Sequence, residues 1–150
     1  MSESLVIEAV RKTITVDCVV EEAFRVFTTD AISWWPVDSH SIRGSAVKEI
    51  VFEGHEGGEV YELTAEGEKC HWATVVTWDP PSRLVLAWNI LEREPVPTEV
   101  DVRFVAEGAS TRVELEHRGW EAVAEEAPEK RESYDHGWEN VLGVYAERVR

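Results

Sequence analysis

Cysteine, methionine, proline and basic residues are all scarce in this sequence, and each scarcity closes off a class of protein. Two cysteines, Cys18 and Cys70, and a single methionine occur in 150 residues. So few thiols cannot staple a small secreted scaffold, and the two read as free and buried in a reducing compartment. Cys70 and His71 are adjacent, so a strand points them to opposite faces, and no second pair stands at ligand spacing. Neither a metal nor a cofactor is expected. A phosphate-cradling glycine loop, a dinucleotide fingerprint and a nucleophile elbow are all missing. Fifteen Lys and Arg face 30 Asp and Glu, a formal charge of −15, which repels phosphate backbones and excludes nucleic acid as a partner. No apolar run approaches the ~20 residues that span a bilayer. Residues 1–8 lack the basic start and apolar core of a secretory signal, so a cytoplasmic protein without membrane insertion is expected.

What the chain has in quantity is apolar and aromatic bulk. Hydrophobic residues make up 43% of it and seven are Trp, enough for one ordered domain over residues 1–150. The heaviest concentration lies at the end. Tyr134, Trp138, Val141, Leu142, Tyr145 and Val149 recur at steps of three and four, which predicts an amphipathic helix from Pro128 to Arg150. Pro128, Glu129 and Glu132 suit its first turns, and Arg148 and Arg150 its C-terminal end. Gly137 is out of keeping, since glycine costs about 1 kcal/mol against alanine inside a helix. Its presence points to a helix backbone lying close against something flat or against a ligand.

Most of the remainder alternates. Val10, Ile14 and Val16 share a face with Lys12 and predict a first strand near a sheet edge, after which Val19, Ala23, Val26 and Phe27 switch to helical spacing. Asp30 is placed to cap a short turn carrying Ile32, Trp34 and Trp35, which Pro36 ends. Two adjacent Trp are not expected to share one core, so one of them is assigned to a surface groove or pocket mouth. From Val47 about six more strands follow, separated by Gly- and Pro-containing turns such as 54–58, 79–82 and 107–110. An acidic, alanine-rich connector at 121–127 leads into the helix. The expected fold class is α+β: a curved antiparallel sheet of about seven strands wrapped on the long terminal helix, with one or two short helices after the first strand.

Three features point to a cavity between sheet and helix. His117 is in phase with Val113 and Leu115, which aims an ionisable ring inward, either as a hydrogen-bonded core residue or as a pocket group. Trp72 and Trp88 lie in strands that the Asp79–Ser82 turn would pair. With Trp120, Tyr134 and Trp138 they fit an aromatic core or an aromatic-lined cavity equally well. A single helix, finally, leaves a deep concave sheet incompletely filled. His40, His55 and His136 are scattered, and only His117 with an inward-facing Glu62 would offer acid–base chemistry.

These residues carry a resemblance. The Trp34-Trp35-Pro36 run, the Gly57-Gly58 turn before Tyr61-Glu62, and the Trp72 strand ending in Trp78-Asp79-Pro80-Pro81 are part of it. Arg83-Leu84 leading to Trp88, Thr111 with Val113 to Trp120, and the late Gly137-Trp138 complete it. From about Ile7 to Val149 the chain resembles the START-like (SRPBCC) superfamily, and within it the branch related to the C-terminal domain of the activator of Hsp90 ATPase. The resemblance implies a helix-grip (START/Bet v 1-like) fold with a hydrophobic cavity; relatives bind lipids, sterols, polyketides or plant hormones, and some cyclise or hydroxylate them.

Three functions follow, in order of preference. The first is a binding protein, monomer or homodimer, for a hydrophobic or aromatic small molecule. Its expected ligand-binding residues are Trp34, Trp35, Trp72, Trp88, His117, Trp120, Tyr134, Trp138 and Val141. The second is an enzyme of the polyketide cyclase or hydrolase type, with His117 and Glu62 as its acid–base pair. The third is a protein interaction domain with a filled core and an exposed apolar patch around Trp35, touching an Hsp90-like chaperone. A single domain is expected, without the separate N-terminal domain through which the eukaryotic activator engages Hsp90, and that expectation favours the first function.

Overall fold

The computed structural model describes residues 7–121 and 127–149. Strands β1 (Val10–Val16), β2 (Val47–Phe52), β3 (Glu59–Thr64), β4 (Lys69–Asp79), β5 (Arg83–Trp88), β6 (Thr98–Glu107) and β7 (Ser110–Arg118) form one antiparallel sheet ordered β1-β7-β6-β5-β4-β3-β2. Helix α1 (Val20–Phe27) and 3₁₀ turns at Ala31–Ser33 and Gly44–Ala46 lie between β1 and β2, and helix α2 (Ala127–Arg148) follows β7. The expected 121–127 connector falls mostly outside the described residues, as does Arg150.

Alternation makes each strand one-sided. On β7, Val113, Leu115 and His117 are buried, and they pair with buried Phe104, Val102 and Val100 of β6. Register shifts at Val47/Glu49, Val60/Tyr61 and Val75/Thr77 fall along β2 to β5. Such bulges bend the strand that carries the extra residue, so the sheet curls and α2 lies along its concave side. The first shift also explains why Val47 and Ile50, three residues apart, are both buried.

The aromatic stripe of α2 faces inward as its spacing requires, burying Trp138, Val141, Leu142 and Tyr145. Tyr145 Oη donates to the Ala23 carbonyl at 2.7 Å and ties α2 to α1. Strand β1 is an edge, and Lys12 reaches across to Asp135 of α2 at 3.2 Å. Away from the helix, Asp101 is buried among Arg83, Arg103 and Arg118. Burial opposes its ionisation, but the hydrogen bonds from Arg83 and Arg118 prevail and hold its carboxyl below the ordinary value.

Two local expectations are corrected. Asp30 stands at the N-cap of the 31–33 turn without making a side-chain cap bond; its carboxylate instead accepts Ser33 Oγ at 3.0 Å and Arg148 at 2.9 Å. Trp34 and Trp35 share one core, 5% and 7% exposed, and Trp35 is the one of the pair that also lines a cavity. The turn that precedes them sends Trp34 toward Phe27 and Tyr145, and Trp35 toward Trp72 and Trp138, with the two ring centroids 5.2 Å apart. An exposed patch around Trp35 therefore does not form. Both cysteines are free thiols. Among the described residues no helix is long and apolar enough to cross a membrane.

Candidate functional site

Between the concave sheet and α2 lies an apolar cavity of about 220 Å³. Trp72 comes from β4, Trp88 from β5, and Tyr134, Gly137, Trp138 and Val141 from α2; Trp35, the segment 39–42 and Ile90 complete the wall. Its rings meet at a tilt or edge-on, with centroids 5.0 Å apart for Trp35–Trp72, 5.9 Å for Trp72–Trp88 and 5.7 Å for Trp88–Trp138. An apolar cavity of about 150 Å³ accommodates benzene, so this one has room for a pair of fused rings.

His117 sits behind that wall, 0% exposed. Trp138 Nε1 donates to its Nδ1 at 3.0 Å. Because an indole N–H only donates, Nδ1 is unprotonated and the ring proton is on Nε2. Nε2 then donates to Thr98 Oγ1 at 2.7 Å, and the Thr98 hydroxyl in turn donates a hydrogen bond to the Trp88 carbonyl at 3.3 Å. Burial pushes the imidazole down to about 3. The ring is neutral with both nitrogens spent, which is the core alternative.

Glu62 does face inward, and it too is 0% exposed. Its carboxylate accepts Trp72 Nε1 and the backbone N–H groups of Ile42 and Arg43, each at 2.7 Å. The expected His117–Glu62 acid–base pair is therefore not made, because each group is committed elsewhere. A carboxylate is the acceptor-only side chain that suits three converging donors. Here it clamps the 39–43 segment onto the sheet and fixes the plane of one cavity indole.

Of the residues expected to bind a ligand, Trp35, Trp72, Trp88, Tyr134, Trp138 and Val141 line the cavity. Tyr134 Oη accepts Trp88 Nε1 at 2.9 Å, and burial raises its pKa, which keeps it a phenol. Trp34, His117 and Trp120 stand behind the wall. Trp34 Nε1 donates to the Val26 carbonyl at 2.7 Å. Trp120 lies against the His117 ring, centroids 4.2 Å apart, and donates to the His117 carbonyl at 2.9 Å. It faces a smaller depression of about 110 Å³ beyond Trp88 and Tyr134. Ser39, His40, Ser41 and Ile42 also line the cavity and lie where no hydrophobic period runs, whereas Ile90, which lines it too, continues the alternation of Leu84, Leu86 and Trp88. One signal was available: Glu62 is in phase with Val60 and Thr64 on the buried side of β3, and a carboxylate so placed must be holding donors from another segment.

A curled seven-stranded sheet gripping a helix over an apolar cavity defines a helix-grip domain of the START-like (SRPBCC) superfamily. Residues 17–147 match the family described as Activator of Hsp90 ATPase homolog 1-like protein, and the chain belongs to it. Among solved structures it is similar to the self-sacrificing resistance protein CalC from Micromonospora echinospora, at 28% identity and TM-score 0.72 over 95% of this chain and 94% of that one. It is also similar to the anthrahydroquino-gamma-pyrone synthase Txn09, at 32% identity and TM-score 0.60 over 86% and 88% of the two chains. The Aha1 dimer from Colwellia psychrerythraea shares the fold at 15% identity, with TM-score 0.66 over 95% and 96%. No match was found among curated proteins.

Proposed function

We propose that this protein binds a small aromatic molecule, on the scale of two fused rings, in the cavity between the sheet and α2. The observation that carries this reading is the wall itself, in which four indoles and one phenol surround about 220 Å³. Burying apolar ligand surface there is worth ~25 cal/mol per Å², and the hydrogen bonds that fix the indoles mean little has to be ordered on binding. Resemblance to Txn09, whose name gives it a polycyclic aromatic product, accords with that chemistry. With His117 neutral and fully engaged, the reading is one of binding and not of acid–base catalysis by that histidine. Two measurements test it together: native mass spectrometry of gently purified protein against its denatured mass, and tryptophan fluorescence during titration with naphthalene. A mass released on denaturation, or saturable one-to-one quenching weakened in Trp138→Ala, is the expected result. A bare mass with no saturable response to naphthalene or to larger aromatics would overturn the proposal.

A further inference from the structure

We propose that His40 is the polar recognition residue of the cavity and that its ligand is a hydroxylated aromatic, whose hydroxyl pairs with His40 Nε2. The inference rests on the binding reading above and adds the chemistry of the ligand to it. Most other polar side chains in the wall are already committed, the exception being the hydroxyl proton of Tyr134, whose oxygen accepts Trp88 Nε1. The indoles of Trp35, Trp72, Trp88 and Trp138 donate to the His40 carbonyl, Glu62, Tyr134 and His117. Ser41 Oγ donates to the Val37 carbonyl at 2.5 Å and accepts the Gly44 N–H at 2.8 Å.

His40 differs. Its Nδ1 lies 2.7 Å from Ser39 Oγ, and Nε2 has no hydrogen-bond partner among the described residues. The ring rests against α2 at Gly137, where a Cβ would come 3.7 Å from Cδ2 and 3.9 Å from Nε2. The segment bearing it is held on both sides. Trp35 Nε1 bonds the His40 carbonyl at 2.8 Å, and Glu62 bonds the N–H groups of Ile42 and Arg43 at 2.7 Å each. Two buried side chains thus fix in advance the position of a half-buried imidazole that keeps Nε2 unused in the cavity wall, which is preorganisation for a polar partner.

The partner's chemistry follows from the Ser39 bond. A serine hydroxyl either donates to Nδ1 or accepts from it, leaving Nε2 a donor in the first case and an acceptor in the second. A ligand hydroxyl, itself donor and acceptor, satisfies both; an ether or carbonyl satisfies only one.

The test is a fluorescence titration of wild type, His40→Phe and His40→Gln with 1-naphthol and with naphthalene. Wild type should hold 1-naphthol about 3- to 10-fold more tightly than naphthalene, the range of one neutral hydrogen bond. His40→Phe should bind the two equally, and His40→Gln, whose amide carries a donor and an acceptor, should recover part of the preference. Naphthalene binding by each variant reports that its cavity is intact. If naphthalene binds but wild type shows no preference, or the preference survives in His40→Phe, the role of His40 is overturned while the binding reading stands. If neither compound binds wild type, the role of His40 is overturned, and the binding reading falls with it when the native mass is also bare and larger aromatics give no saturable response.

Discussion

Trp138 donates its indole proton to Nδ1 of His117 across 3.0 Å, and that bond decides what the histidine can do. A ring held in this tautomer is neutral when the protein is folded, a constraint the unfolded chain does not share. Burial sets the folded value at about 3 against an ordinary 6.5. The stabilisation is complete above pH 6.5 and is lost as pH falls toward 3, because the unfolded chain takes up a proton that the folded one refuses. The loss approaches about 1.4 kcal/mol per pH unit for this one group. His117→Phe should be less stable at neutral pH, since Trp138 and Thr98 lose partners at about 1–3 kcal/mol each. It should also lose less stability on acidification. Urea unfolding at neutral and mildly acid pH measures both, and parallel pH profiles for the two proteins would contradict the assignment.

Glu62→Gln exchanges an acceptor-only group for one that places an amide N–H among three donors. The expected cost is about 1–3 kcal/mol for a buried donor left unpaired. Because two of those donors belong to the segment that walls the cavity, naphthalene affinity should fall together with stability. Thermal unfolding and fluorescence titration of the variant check this. Lower stability with unchanged affinity would separate Glu62 from the cavity.

The parts of this protein that were legible in its sequence are those where periodicity meets burial. Strand phase alone turned His117 inward, the Asp79–Ser82 turn paired the strands of Trp72 and Trp88, and spacing drew the inner face of α2. The rest depends on contacts between segments far apart in the chain. Nothing near Glu62 states that Ile42 and Arg43 will supply its donors, and nothing near His40 places it over Gly137, nearly a hundred residues later. Trp34 and Trp35 share one core against expectation, because a 3₁₀ turn and a curled sheet together let adjacent side chains enter it at different points, while Trp35 alone of the two lines the cavity, in keeping with the assignment of one of them to a pocket.

Gly137→Ala separates stability from function at a single atom. The new Cβ would lie 3.7 Å from His40 Cδ2, an ordinary contact, so the helix tolerates it and gains about 0.5–1 kcal/mol of propensity. For a chain of this length the melting temperature should rise by about 1–4 °C. The same methyl occupies cavity space beside His40 and should weaken naphthalene binding. A variant that is both more stable and an equally good binder would show that glycine is not retained there for the ligand.

Trp34 and Trp35 are adjacent, buried and chemically identical, yet their substitutions should have different outcomes. Trp34→Phe forfeits the bond to the Val26 carbonyl and some packing on Tyr145, a loss of about 1–3 kcal/mol, with the cavity wall left standing. Trp35→Phe removes part of the wall and also frees the His40 carbonyl, so it should weaken both naphthalene binding and the 1-naphthol preference. Melting temperatures and paired titrations of the two variants distinguish these outcomes. Equal losses of affinity would mean that the wall extends back to Trp34 when a ligand is bound.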